Sequence, residues 1–163
     1  MKFACDIRDT VDSVNALEVE KRFLLSGRWT GNILIPECRI QYQGGYCRAD
    51  LLMISPAMRA TEIEIKSSSA DWENEKKKIK WRQPLSSFLW HFVYLVPEGL
   101  KTPEWISDVT GVWCIDRHGI IRVERQPKII SNHKVTAEEL SGFLNDARFY
   151  NRYWSARLDY LNA

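Results

Sequence analysis

The stretch that decides the reading runs from Arg48 to Trp72, RADLLMISPAMRATEIEIKSSSADW. Its second half, Ala60 to Lys66 (ATEIEIK), sets Ile63 and Ile65 in alternation with Glu62, Glu64 and Lys66. Alternation of period two is the signature of a strand with two unlike faces. The first half, Leu51 to Ile54, has no polar face at all, which predicts a strand covered on both sides. Ser55-Pro56 supplies the turn between the two.

Upstream, Asp12 or Ser13 is placed to cap a helix that runs to about Ser26, where Gly27 gives a stop signal. Ala16, Val19, Phe23 and Leu24 share one arc of that helix, and Glu20 falls inside the arc. A carboxylate is therefore expected to face the body of the protein. Residues 32–43 and 46–55 read as two β-rich runs joined through Gly44-Gly45 as a hairpin, with Pro36 marking a bend or an edge.

Downstream, Asp71 to Arg82 (DWENEKKKIKWR) reads as a helix ended by Pro84, with five basic residues, Lys76, Lys77, Lys78, Lys80 and Arg82. Phe88 to Val96 is continuously apolar, which suits a buried strand stopped by Pro97. Val112–Asp116 and Ile120–Val123 form a second hairpin around Arg117-His118-Gly119, and Thr136 to Glu139 has capping-box form ahead of terminal helices. The expected fold class is α/β: a core of helix, three-stranded meander, helix and strand over about residues 12–98, extended by a C-terminal hairpin and helices over about 99–163, in one domain.

The chemistry suggested by this order is that of a divalent cation. Mg²⁺ is typically held by one or two carboxylates together with substrate phosphate and water. Asp50, at the start of one strand, and Glu64, in the next, are the pair that a meander brings together. Lys66 lies two residues beyond Glu64, on the same face, where it can orient an attacking water and stabilise developing negative charge. The Ile65 carbonyl is a further oxygen ligand, and the inward Glu20 adds a carboxylate. Taken alone, Glu62, Glu64 and Lys66 equally suit the solvent face of an amphipathic strand.

These residues resemble a known family. Arg48-Ala49-Asp50, followed fourteen residues after Asp50 by Glu64-Ile65-Lys66 and then by Ser67 to Trp72, is similar to the PD-(D/E)XK, or restriction-endonuclease-like, nuclease superfamily. Within it, the chain looks most like MmcB-like DNA-repair nucleases and related small phage and bacterial proteins, over residues 16–98. The resemblance implies a nuclease that hydrolyses DNA phosphodiester bonds in repair, recombination or phage DNA metabolism. It makes Asp50 and Glu64 ligands of Mg²⁺ or Mn²⁺, Lys66 the catalytic lysine and Glu20 the acid of the first helix. Ala49 stands where the superfamily's name has proline, a position with no catalytic side chain.

Lys76, Lys77, Lys80 and Arg82 are then candidates to grip the DNA backbone, although a lysine-rich helical face is commonly just solvated. Trp72, Trp81 and Trp90 suit core packing better than base stacking, and His91 reads as a core histidine. Two other readings remain open: a non-catalytic DNA-binding protein that keeps the nuclease fold as an adaptor or phage-encoded antagonist, and a structural or protein-interaction domain.

The remaining composition sets limits on these readings. The 163 residues carry a net charge of only +2, so attraction to nucleic acid has to come from a local patch. Cys5, Cys38, Cys47 and Cys114 lack zinc-site spacing and the density of a disulfide scaffold, which predicts a reduced, cytoplasmic protein. Cys38 and Cys47 are placed to face each other across the first hairpin as free thiols. Neither a signal peptide nor a membrane span is read from the sequence. The terminal helices from Thr136 onward, with Phe149, Tyr150, Tyr153 and Trp154, suit either a homodimer interface or a cap on the core.

Overall fold

The computed structural model describes residues 14–81 and 85–145. Helix α1 spans Ala16–Leu25, and the Asn15 side chain accepts from the Glu18 N–H at its start, satisfying one of the unpaired donors there. Asp12 and Ser13, the caps expected from sequence, lie outside the described residues. At the other end Gly27 takes φ 70, a conformation that costs glycine nothing.

The two runs around Gly44-Gly45 form one antiparallel hairpin that keeps a single register but is broken in the middle. β1 (Ile33–Pro36) pairs with β4 (Leu51–Ile54), and β2 (Arg39–Tyr42) pairs with β3 (Gly45–Arg48). Between the halves, the Glu37 N–H donates to the Asp50 carbonyl and the Ala49 N–H to the Cys38 carbonyl, both at 2.8 Å. Two unbroken strands were the simpler expectation. Pro36 cannot donate to a ladder, and Glu37 behind it turns to φ 46, so the tip of the hairpin leaves the main sheet. Ile40 and Tyr42 consequently pack into one core with Trp72, Phe92 and Tyr94.

β5 (Ala60–Ile65) pairs antiparallel with β4 and parallel with β6 (His91–Pro97). β6 runs parallel to β7 (Gly111–Ile115), and β7 closes an antiparallel hairpin with β8 (Ile121–Arg125). The fold is α/β, with a mixed six-stranded sheet in the order β1-β4-β5-β6-β7-β8 and a two-stranded ribbon β2-β3. β6 starts at His91, three residues later than the apolar run suggested, because Leu89 closes a turn onto Ser86.

Alternation along the strands assigns the two faces. Leu51, Ile63, Ile65, Val93, Leu95, Trp113 and Ile115 form one core with Val19 and Phe23 of α1. The other face of β5 carries Glu62 and Glu64, whose neighbours on β6 are Phe92 and Tyr94. Over that face lie the β2-β3 ribbon and α2 (Ser69–Glu75), which starts with a capping box between Ser68 and Asp71.

The helix expected over 71–82 is corrected. It ends at Glu75, and a 3-10 turn, Ile79–Trp81, follows. Residues two apart on an α-helix point to different sides, so a continuous helix could not aim both Lys78 and Lys80 at the sheet. The break in the helix allows it.

Residues 137–145 are helical, and the expected capping box stands at their start: the Thr136 hydroxyl accepts from the Glu139 N–H, and the Glu139 carboxylate accepts from the Thr136 N–H. Phe149, Tyr150, Tyr153 and Trp154 lie outside the described residues. Among the described residues, no helix is long and apolar enough to cross a membrane.

Candidate functional site

The polar residues of β5 do not face water. Glu62 and Glu64 are 0% and 1% exposed, and Lys66 just past the strand is 4% exposed. A buried carboxylate that keeps its charge needs a cation and hydrogen bonds, and the chain after α2 delivers both. Lys80 Nζ lies 3.0 Å from Glu62 Oε1, 3.0 Å from Glu64 Oε2 and 3.5 Å from Glu75 Oε1. Lys66 Nζ lies 2.9 Å from Glu64 Oε1 and 2.6 Å from Glu75 Oε2. Lys78 contacts those same two oxygens, in a short pair with Glu64 and at 2.8 Å from Glu75.

Aromatic groups complete the set. The Tyr42 hydroxyl donates to Glu62 Oε2, the Trp81 indole N–H donates to Glu75 Oε1 at 2.7 Å, and the Tyr94 hydroxyl reaches Glu75 at 3.4 Å. Lys80 Nζ also sits 4.6 Å from the centre of the Phe92 ring, a cation–π distance. Three glutamates and three lysines thus form a neutral cluster under the ribbon.

Burial and charge act against each other within this cluster. Burial is the largest influence on Glu64 and raises it, but Lys80, Lys66 and Lys78 together outweigh it and hold the carboxyl well below its ordinary range. Glu75 is likewise pushed up by burial and by Glu64, then carried below its usual value by the same three ammoniums. Glu62 goes the other way, because its burial is complete and Lys80 is its main compensation. Burial lowers Lys80, and the three carboxylates more than restore it.

Asp50 differs from these acids. It directly precedes Leu51, which pairs with Ile63, so it sits at the β4 end beside Glu64. Its Oδ2 accepts from the Ile65 N–H at 2.7 Å. Among the described residues, no lysine or arginine reaches it within ion-pair distance. Burial first, and the Glu64 charge second, push its carboxyl up to about 7. Here negative charge is under-compensated.

The structure thus brings Asp50, Glu64 and Lys66 together at the C-terminal end of β5. Glu20 is buried at 4% exposure, as its place on the apolar arc required. It stands on α1, which packs on the isoleucine face, so it approaches from the other side of the sheet than Glu64. Of the residues expected to grip a phosphate backbone, Lys76 and Lys77 are exposed, and Lys76 pairs with Glu73 at 3.1 Å. Lys80 is a correction, since it is completely buried and spends its charge on glutamates. Arg82 lies outside the described residues.

Sequence reasoning missed Glu75, Lys78, Lys80 and Tyr42 as parts of one site. A signal existed: Glu62 lies on the same strand face as Glu64, and two buried acids demand cations, which the lysine run after residue 75 is the nearest source to supply. Trp72 is core, with Tyr94 at 4.8 Å, and Trp90 stacks on His91 at 3.8 Å. Cys38, Cys47 and Cys114 are free thiols, and Cys47 stands opposite Ile40, not Cys38.

No family model matches this sequence, and no curated protein matches it. Among solved structures, the chain is similar to the SPO1766 protein of unknown function from Silicibacter pomeroyi. The two share 17% identity and a TM-score of 0.59, over 86% of this chain and 88% of that one. That likeness shows the α/β fold. A chain in a cryoEM structure of a DrdV–DNA complex matches at 14% identity with a TM-score of 0.28, covering 76% of this chain and a tenth of the other, and it carries no argument.

Whether these residues suit a divalent ion is decided by the donors. Among the described residues, no group of three or more His, Cys, Asp and Glu is arranged to hold a metal. A site of the Mg²⁺ type needs fewer protein ligands, since substrate and water complete it. Asp50 and Glu64 are hard oxygen donors side by side, and Asp50 has no cation partner among the described residues. They fit such an ion, on the condition that the lysines on Glu64 give way.

Proposed function

We propose that this protein is a Mg²⁺- or Mn²⁺-dependent nuclease with a restriction-endonuclease-like core, hydrolysing DNA phosphodiester bonds. The observation that carries the proposal is Asp50, half-buried and without a cation partner among the described residues, next to the Glu64–Lys66 pair. The position is a favourable one, because ligands of sheets with parallel strands collect outside the carboxyl ends of those strands, and β5 and β6 run parallel there.

Asp50 and Glu64 would hold the ion, with the Ile65 carbonyl beside them. The ion would polarise the scissile phosphate and lower the pKa of a bound water. Lys66 holds its ammonium next to Glu64, where it would orient the attacking water and offset charge on the phosphoryl oxygens. The buried Glu62, Glu75 and Lys80 hold Glu64 and Lys66 in place. Glu20, expected as a further acid from the first helix, stands on the other side of the sheet and takes no part in holding the ion. Lys76 and Lys77, exposed just past α2, are available to a DNA backbone.

The test is a cleavage panel of single-stranded, duplex and branched DNA with Mn²⁺ or Mg²⁺, run beside Asp50→Ala, Glu64→Ala and Lys66→Ala. Loss of at least about 10²-fold in each variant is expected, and full activity in all three would end the proposal. A second reading is favoured by one observation: Glu64 is already neutralised by three lysines. On that reading the chain binds DNA without cutting it, and the same panel gives retarded DNA with no products.

A further inference from the structure

The three lysines on Glu64 are not equivalent. The Lys66 and Lys80 side chains are 5% and 0% exposed, whereas that of Lys78 is 35% exposed. Lys80 has partners that no other ammonium among the described residues serves, namely Glu62 Oε1 and Glu64 Oε2. Among the described residues Lys78 has none of its own, because Glu64 Oε1 and Glu75 Oε2, its two contacts there, both lie against Lys66 as well. It follows α2, and its N–H bonds back to the Glu75 carbonyl at 3.0 Å. Its side chain therefore reaches the cluster from the solvent side, while Lys66 and Lys80 are enclosed.

We infer that Lys78 is an internal cation holding the Glu64 oxygen that a divalent ion would take, and that ion entry expels it toward solvent. The inference rests on the reading of Asp50 and Glu64 as the ion's ligands. Electrostatics supports the exchange. Without Lys78, and with all four carboxyls ionised, Asp50, Glu62, Glu64 and Glu75 outnumber Lys66 and Lys80 by two, which is the charge of one Mg²⁺ or Mn²⁺. Redundancy supports it too, since after Lys78 leaves, each oxygen it touched still lies within ion-pair distance of Lys66. Expulsion sets an ammonium free at the mouth of the site, where a phosphate group of a nucleic acid backbone is the chemistry that would hold it. Lys78 thus acts as a positioning residue: it keeps the acids ordered before the ion arrives, then turns to the substrate.

Mn²⁺ alone is the probe, titrated calorimetrically into the full chain as wild type, Lys78→Met, Asp50→Asn and the double variant. Lys78→Met is expected to bind Mn²⁺ at least about tenfold more tightly than wild type, and the double variant to lose that gain. Equal affinity in wild type and Lys78→Met, with Asp50→Asn weaker, overturns the role of Lys78 and leaves the ion site standing. No binding by any folded variant removes the ion site itself. A second measurement uses wild-type protein only: labelling by an amine-reactive reagent, located by peptide mass mapping, should become several-fold faster at Lys78 with Mn²⁺ and stay unchanged at Lys76. A Lys78 rate indifferent to saturating Mn²⁺ overturns the inference even if the variant fails to fold.

Discussion

Lys80 and Glu62 form an ion pair 3.0 Å long in which neither side chain is exposed to water. Such a pair adds little net stability over an apolar core, but removing one partner leaves a buried charge uncompensated. Lys80→Met should therefore cost about 3–5 kcal/mol in urea denaturation. Lys78→Met, whose oxygens keep Lys66, should cost less than about 1 kcal/mol. Equal losses in the two variants would contradict the hierarchy within the cluster.

The ribbon tip makes its own contribution through Tyr42, whose hydroxyl donates to the buried Glu62. Tyr42→Phe leaves that carboxylate one donor short, and a loss of about 1–3 kcal/mol is expected. The midpoint of the same denaturation curve reports it; an unchanged midpoint means the ribbon does not support the acid face.

Asp50 sets a pH dependence whose sign follows from its raised value. The folded carboxyl titrates near 7 and the ordinary group at 3.8. Below the ordinary value both states are protonated, so pH has no leverage. Between the two values the unfolded chain ionises first, and stability falls as pH rises, by up to about 1.4 kcal/mol per unit. Above about pH 7 the loss levels off, at no more than about 4.5 kcal/mol. Asp50→Asn has no proton to lose, so it should gain on wild type from about pH 4 to 7 in thermal melts without divalent ions. Parallel stability profiles would show that the Asp50 carboxyl is not raised by its surroundings.

Packing at the far end of the sheet is tested by glycines. A Cβ on Gly111 of β7 would stand 2.9 Å from Pro127 Cδ and 3.0 Å from its backbone nitrogen, whereas one on Gly142 would meet nothing within 4 Å. Gly111→Ala should destabilise by about 1–3 kcal/mol through overpacking. Gly142→Ala, inside the helix 137–145, should stabilise by up to about 1 kcal/mol. The order of the two melting temperatures checks both.

Much of this architecture was readable from local pattern. Gly44-Gly45 between two β-rich runs announced the hairpin, the alternation of Ile63 and Ile65 with Glu62 and Glu64 announced two unlike faces, and Glu20 within an apolar arc announced its burial. The juxtaposition of Asp50, Glu64 and Lys66 also followed, because a meander fixes which strand ends meet. What local pattern could not supply was the fate of the lysine run. Twelve residues from Asp71 to Arg82 suit a single basic helix by propensity alone.

The sequence by itself determined the strands, their faces and the order of acids and lysines, since these depend on neighbours a few residues apart. Only the tertiary structure decided that the polar face of β5 is covered, that the helix breaks after Glu75, and that Lys78 and Lys80 turn inward. The reason is desolvation: once the hairpin tip folds over Glu62 and Glu64, their charges must be met within the protein, and that demand overrides the helical preference of the residues that meet it.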